Sequence, residues 1–171
     1  MSEAQNEGAS GASGSGLPAT IEDAIALQRS DRLAVFELEI PIRWGDMDAM
    51  GHVNNTEFFR YMEQARISWF DAMGVPAAGD DDGPVIINAF CSFLEELRYP
   101  GSVRLTLSIG EMGRSSLQTY CDISRVDDPG TIVASGGAKI VWIHVPSRRS
   151  IPIPQDLRKR MAEPVKRLPR K

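Results

Sequence analysis

From Leu33 onward the chain alternates with a period of two: Ala34, Phe36, Leu38, Ile40 and Ile42 against Val35, Glu37, Glu39 and Pro41. That is the pattern of a half-buried strand, and Pro41, which has no N–H to donate, marks an edge or an end. Residues 44–53 fit neither a strand nor a helix period and are expected to form a loop. The period then changes. Phe58, Met62, Ala65, Trp69 and Met73 recur at spacings of four, three, four and four, which predicts a long helix. Asn54 is its expected N-cap, with Glu57 three residues on as in a capping box, and Gly74 followed by Pro76 is its expected stop. Phe59, Tyr61, Ile67, Phe70 and Ala72 carry apolar surface beyond one stripe, so this helix must be covered on most sides.

The rest of the chain supplies the cover. After the acidic, glycine-rich run AAGDDDG, residues 84–98 read as strand, and Tyr99-Pro100-Gly101 as a turn. Val103, Leu105, Leu107 and Ile109 alternate with Arg104, Thr106 and Ser108. A turn at GEMGR leads into a strand over Ser115–Val126. DDPG at 127–130 signals a hairpin, and Thr131–Val145 is its return strand. Gly136 and Gly137 inside that strand predict a bulge or a close backbone approach. Pro152 and Pro154 precede a short helix near 155–162. A strand, a long helix and then a run of antiparallel strands make an α+β pattern, one sheet packed on one central helix. Residues 1–19 are mostly Ser, Gly, Ala and Glu with almost no large apolar side chain, and read as a disordered tail. Residues 20–31 read as a short N-terminal helix or extension capped by Thr20. The folded domain spans 32–162, and 163–171 is a basic tail.

Composition narrows the function. A chain of 171 residues with 42% hydrophobic and 25% charged residues is long enough for one domain with a real core. A net charge of -4 argues against nucleic acid as the default partner. Cys91 and Cys121 form no CxxC pair and read as buried free thiols in a reducing compartment. With no basic-then-apolar leader and no apolar run near the ~20 residues of a membrane span, the expected location is the cytoplasm, with no membrane partner.

The chemistry is concentrated in Arg43-Trp44-Gly45-Asp46-Met47-Asp48-Ala49-Met50-Gly51-His52-Val53-Asn54-Asn55. A structural reading lets Asp and Asn satisfy loop and helix-start N–H groups. A metal reading places Asp46, Asp48, Gly51 and Glu57 at EF-hand offsets. Met50, however, falls where a fifth-position oxygen is needed, and a strand stands where that motif needs a helix. A transition-metal site would use Asp46, Asp48 and His52. The third reading is acyl transfer. A helix N-terminus has free N–H groups and partial positive charge, which can hold a thioester carbonyl while a nearby carboxylate attacks it or activates water. That reading needs no metal and no cofactor.

The run DMDAMGHVNNTEFFRYMEQAR resembles the signature of the 4-hydroxybenzoyl-CoA thioesterase-like branch of the hotdog superfamily. In that signature an Asp-x-Asp loop and Gly-His-Val-Asn-Asn lead into a central helix. FLEELRYPGSV, the Gly110–Ser115 turn and RSIPIPQDLR add to the likeness, which covers about residues 33–160. The resemblance implies a hotdog fold and acyl-CoA hydrolysis in a homodimer or homotetramer, with substrate between subunits and an acyl carrier protein as the other possible carrier. It implies Asp48 as nucleophile or general base, a carbonyl-polarising amide at or beside Asn55, and Asp46 as a brace. His52 matches the histidine of a related loop in plant acyl-ACP thioesterases, but Met50 stands where that loop has Asn. Asn54 and Phe58 would line the substrate pocket, and Arg114, Ser115, Arg148 and Arg149 would take the CoA phosphates. The rival expectation is a non-catalytic acyl-CoA sensor on the same fold.

Overall fold

The computed structural model describes residues 32–75 and 81–165. The expected tail over 1–19, the Thr20-capped segment over 20–31, Pro76 and the last six residues of the basic tail lie outside the described residues. The domain is built from β1 (Leu33–Pro41), a single 3-10 turn (Trp44–Asp46), α1 (Asn55–Ala72), β2 (Asp82–Phe93), β3 (Ser102–Met112), β4 (Ser116–Arg125), β5 (Ile132–His144), β6 (Arg149–Ser150) and α2 (Gln155–Met161). The sheet runs in the order β1-β3-β4-β5-β2, with β6 paired to the end of β5, and every pairing is antiparallel. β1 and β2 are therefore the edges, as Pro41 at the end of β1 implied.

One face of this sheet packs on α1. Met62, Ala65 and Trp69 are at most 1% exposed and meet Leu105, Leu107, Leu117 and Ile123 in the core. At about 1.5 Å per residue, the 18 residues of α1 span ~27 Å. Close approach depends on the small residues of β5. A Cβ on Gly136 would stand 2.4 Å from the Phe90 carbonyl oxygen and 2.8 Å from the Met62 sulfur. The glycine pair thus marks a close backbone approach, while the register shifts fall elsewhere, at Ile86/Asn88 and Ile123/Ser124. α1 ends where expected. Gly74 has φ +68, and the Val75 N–H reaches back to the Phe70 carbonyl at 2.9 Å.

Several expectations need correction. The strand read over 84–98 is Asp82–Phe93. Leu94 and Glu95 leave the ladder by donating both their N–H groups to the Val133 carbonyl, at 2.9 and 3.1 Å. The turn at GEMGR begins later, because a register shift after Ile109 carries β3 through Met112. The simple alternation of β1 is broken by a shift between Ala34 and Phe36, so Val35 and Phe36 are both buried. Among the described residues, no helix is long and apolar enough to cross a membrane.

Candidate active site

The loop between β1 and α1 is tied down by a buried carboxylate. Asp46 is 5% exposed, and its Oδ2 accepts from the Arg43 N–H at 2.8 Å and from the Tyr61 hydroxyl at 2.6 Å. Its carbonyl accepts from the Asn54 N–H at 2.9 Å. Strand end, loop end and second turn of the helix therefore meet on one residue. Burial, and then the Asp46 carboxylate, hold the Tyr61 phenol well above its ordinary pKa.

Beyond Asp46 the chain makes a tight hairpin. Met47 bridges to Val53, the Asp48 N–H donates to the His52 carbonyl at 2.8 Å, and the Gly51 N–H donates to the Asp48 carbonyl at 3.0 Å. Gly51 has φ +78, a conformation that a side chain would strain. The Asp48 carboxylate is exposed at the tip, where its Oδ1 accepts from the Met50 N–H at 2.8 Å. Met50 itself is 78% exposed.

The hairpin delivers the chain to the start of α1. Asn54 is the N-cap, its Oδ1 accepting from the Thr56 N–H at 2.9 Å and from the Thr56 hydroxyl at 2.8 Å. The expected capping box does not form: the Asn54 N–H donates to the Asp46 carbonyl, and Glu57 pairs with Arg60 at 3.5 Å. The Asn55 N–H, first in the helix, has no acceptor among the described residues, as helix geometry requires of a leading N–H.

A cavity of about 420 Å³ opens at this end of α1. His52, Asn55 and Phe58 form one wall, and the segment Phe93–Leu97 forms the other. The Phe58 and Phe93 rings meet edge-on with centroids 5.3 Å apart. Beside them, His52 Nε2 lies 2.6 Å from Arg98 Nη2 and 3.0 Å from Glu96 Oε2. The hydrogen bond from Arg98 holds the Glu96 carboxyl below its ordinary pKa. Phe93, Glu96 and Arg98 fall in the run FLEELRYPGSV that added to the resemblance, but none of them was among the site residues expected from sequence. The usable signal was Glu96 and Arg98 two residues apart, which puts opposite charges on one side of an extended segment.

The single chain thus gathers His52, Asn55 and Phe58 around one cavity, with Asn54 capping the helix beside it. Asp48 stands on the adjoining hairpin outside that lining. Arg114, Ser115, Arg148 and Arg149 lie elsewhere. Arg158 of α2 bonds the Gly113 carbonyl and Arg160 bonds the Met73 carbonyl at the far end of α1, and His144 pairs with Asp82 rather than with the Phe93 end of β2. The four residues therefore sit at the opposite end of α1 from Asn55.

The Thioesterase-like superfamily matches the chain over residues 42–161. A candidate thioesterase from Pseudomonas aeruginosa superposes with a TM-score of 0.72 at 36% identity, over 74% of this chain and 98% of that one. A gentisyl-coenzyme A thioesterase superposes with a TM-score of 0.66 at 25% identity, over 74% of this chain and 100% of that one. The YsmA protein of Bacillus subtilis (strain 168) is 27% identical over 82 residues, 48% of this chain. The chain spans only 56% and 59% of the length of the first curated relatives it matches. With an antiparallel sheet packed on a central helix and a matched segment running from the Asp-x-Asp loop to α2, the chain belongs to the thioesterase-like superfamily and has its hotdog fold.

Proposed function

We propose that the protein hydrolyses acyl-coenzyme A thioesters, adding water to give a carboxylic acid and free CoA. The observation that carries this reading is the Asn55 N–H at the head of α1, without an acceptor among the described residues, beside a cavity of mixed polar and apolar lining and next to a hairpin that presents an exposed carboxylate. The helix N-terminus favours developing negative charge, so Asn55 is the donor to the thioester carbonyl oxygen. Asp48 then attacks the carbonyl carbon or takes a proton from the attacking water, and the thiolate departs. Phe58 and Phe93 offer aromatic edges to the acyl group. The similarity to a gentisyl-CoA thioesterase supports an acyl-CoA substrate, with acyl carrier protein as the alternative carrier.

The reading includes a homodimer. β2 is an edge strand of 12 residues, with Ile86, Ile87, Phe90 and Phe93 between 41% and 62% exposed. A long edge with open backbone groups and large apolar side chains suits pairing with a second copy. The four residues expected to hold the CoA phosphates, Arg114, Ser115, Arg148 and Arg149, stand toward the opposite end of α1 from Asn55. They would serve this site only from the partner subunit. Free Cys91 and Cys121 fit a reducing compartment such as the cytoplasm.

The test is a panel of aliphatic and aromatic acyl-CoAs assayed with a thiol-reactive dye. Turnover that Asp48→Asn abolishes supports the reading. Tight binding of acyl-CoA with no thiol release from any substrate would make the protein a sensor instead.

A further inference from the structure

Two side chains that no comparison assigns meet the imidazole of His52. Leu97 is 1% exposed, and its carbonyl accepts from the Val53 N–H at 2.7 Å, so residues 96–98 run beside the end of the hairpin. The Arg98 carbonyl accepts from Arg125 Nη1 at 3.2 Å, which holds the backbone on its other side. From this support Arg98 Nη2 reaches His52 Nε2 at 2.6 Å and Glu96 Oε2 at 3.0 Å.

A guanidinium Nη2 carries two hydrogens and accepts none. One assignment uses both, with one hydrogen to His52 Nε2 and the other to the Glu96 carboxylate. In that arrangement Nε2 is unprotonated, so the neutral ring carries its proton on Nδ1. The opposite assignment, with Nε2–H donating to Glu96, sets one N–H against another at 2.6 Å and places that donor against a guanidinium. Nδ1 has no hydrogen-bond partner among the described residues, and the ring lines the cavity with Asn55. The charged groups facing the ring are Glu96 and Arg98, with Glu95 on the same cavity wall.

We propose that Arg98 is a positioning residue that holds His52 as the neutral Nδ1–H tautomer, so that the ring meets a thioester as a hydrogen-bond donor rather than as a base. The tautomer rests on geometry alone, whereas its use on a thioester rests on the function proposed above. The His52 Nδ1–H and the Asn55 N–H then form two neutral donors at one cavity, suited to an oxyanion, and the carboxylate chemistry is left to Asp48.

Long-range proton–nitrogen NMR of the 15N-labelled full chain reads the tautomer directly. His52 and His144 are its two histidines, and His144→Gln assigns the signals. The expected result is a protonated Nδ1 and an unprotonated Nε2 on His52 in the wild type and in Glu96→Gln. In Arg98→Met the proton should move toward Nε2. A protonated Nε2 in the wild type, or an unchanged tautomer in a folded Arg98→Met, overturns the proposal. In the acyl-CoA assay Arg98→Met should lower kcat roughly 10-fold with KM less affected, as loss of a group that orients a reacting side chain does. A wild type that releases no thiol sinks the thioesterase reading and leaves the tautomer standing. A wild type that turns over, with Arg98→Met matching it in kcat, shows that Arg98 does not position His52 for the reaction.

Discussion

The Tyr61 hydroxyl donates to the Asp46 carboxylate at 2.6 Å, joining the second turn of α1 to the turn that opens the site loop. Both residues are nearly inaccessible, Tyr61 at 4% and Asp46 at 5% exposure. The bond therefore fixes where the helix begins relative to the carboxylate-bearing hairpin, and links the packing of α1 to the geometry of the site.

Removing that hydroxyl should cost stability without emptying the core. Tyr61→Phe leaves the buried carboxylate short of one donor, a loss of about 1–3 kcal/mol and hence a Tm lower by roughly 4–10 °C. The same pair sets an alkaline limit. The folded pKa of Tyr61 is raised above its unfolded value, so its contribution is fully present below about pH 10 and is lost as pH rises toward the folded value. Thermal melts from pH 8 to 11 should show wild-type Tm falling above pH 10, with a shallower fall in Tyr61→Phe. Equal slopes in the two proteins would remove this pair as the cause.

Gly136 is the point where β5 lies closest to its neighbours. An added methyl would meet the Phe90 carbonyl oxygen at 2.4 Å and the Met62 sulfur at 2.8 Å. The thioether can swing aside, but the backbone oxygen of β2 cannot without loosening the β2–β5 ladder. Gly136→Ala should therefore destabilise by about 1–3 kcal/mol. Chemical denaturation checks it, and a midpoint unchanged from wild type would show that the strands separate at no cost.

The exposed edge of β2 makes a prediction about assembly. Ile87 is 62% exposed on that edge. Ile87→Lys puts a charge where a second strand would pair, the device by which natural edge strands avoid association. Light scattering should show the wild type at a multiple of the 18.8 kDa chain and the variant shifted toward one chain. A wild type of one-chain mass with full turnover would overturn the dimer.

The strand–helix–strand order was legible because β3 and α1 keep clean periods. Val103, Leu105, Leu107 and Ile109 alternate without interruption, and Met62, Ala65 and Trp69 hold one helical face. Both ends of α1 were legible for a chemical reason, since Asn54 caps its start and Gly74 stops its end. Register shifts were not legible. Nothing in the apolar pattern around Val35 or Ile109 shows an irregularity, because its energetics lie in the pairing with a neighbouring strand. The site was half legible. His52, Asn55 and Phe58 lie within one short stretch, so local spacing brought them together. Glu96 and Arg98 reach the same place from over forty residues away, through a segment that leaves the sheet only because Val133 takes its N–H groups.

The sharpest test separates the carboxylates of the Asp-x-Asp pair. Asp46 is buried and accepts two hydrogen bonds through Oδ2, whereas Asp48 is exposed and its carboxylate accepts one, from the Met50 N–H. Asp48→Asn can keep that bond through its amide oxygen while losing the negative charge. It should therefore leave Tm within about 2 °C of wild type, as a surface substitution away from such constraints does. If the Asp48 carboxylate attacks the thioester or activates water, kcat should fall ~10²-fold or more with substrate binding largely kept. Asp46→Asn replaces a buried ionic acceptor with a weaker one and should lower Tm by several degrees, near ~1–3 kcal/mol. Its turnover, measured well below the new Tm, should fall less than that of Asp48→Asn. Parallel thiol-release kinetics and thermal melts on the two variants decide the matter. Near-wild-type kcat in Asp48→Asn would end the proposed mechanism, and a folded, stable, inactive Asp46→Asn would move the chemistry to the buried carboxylate.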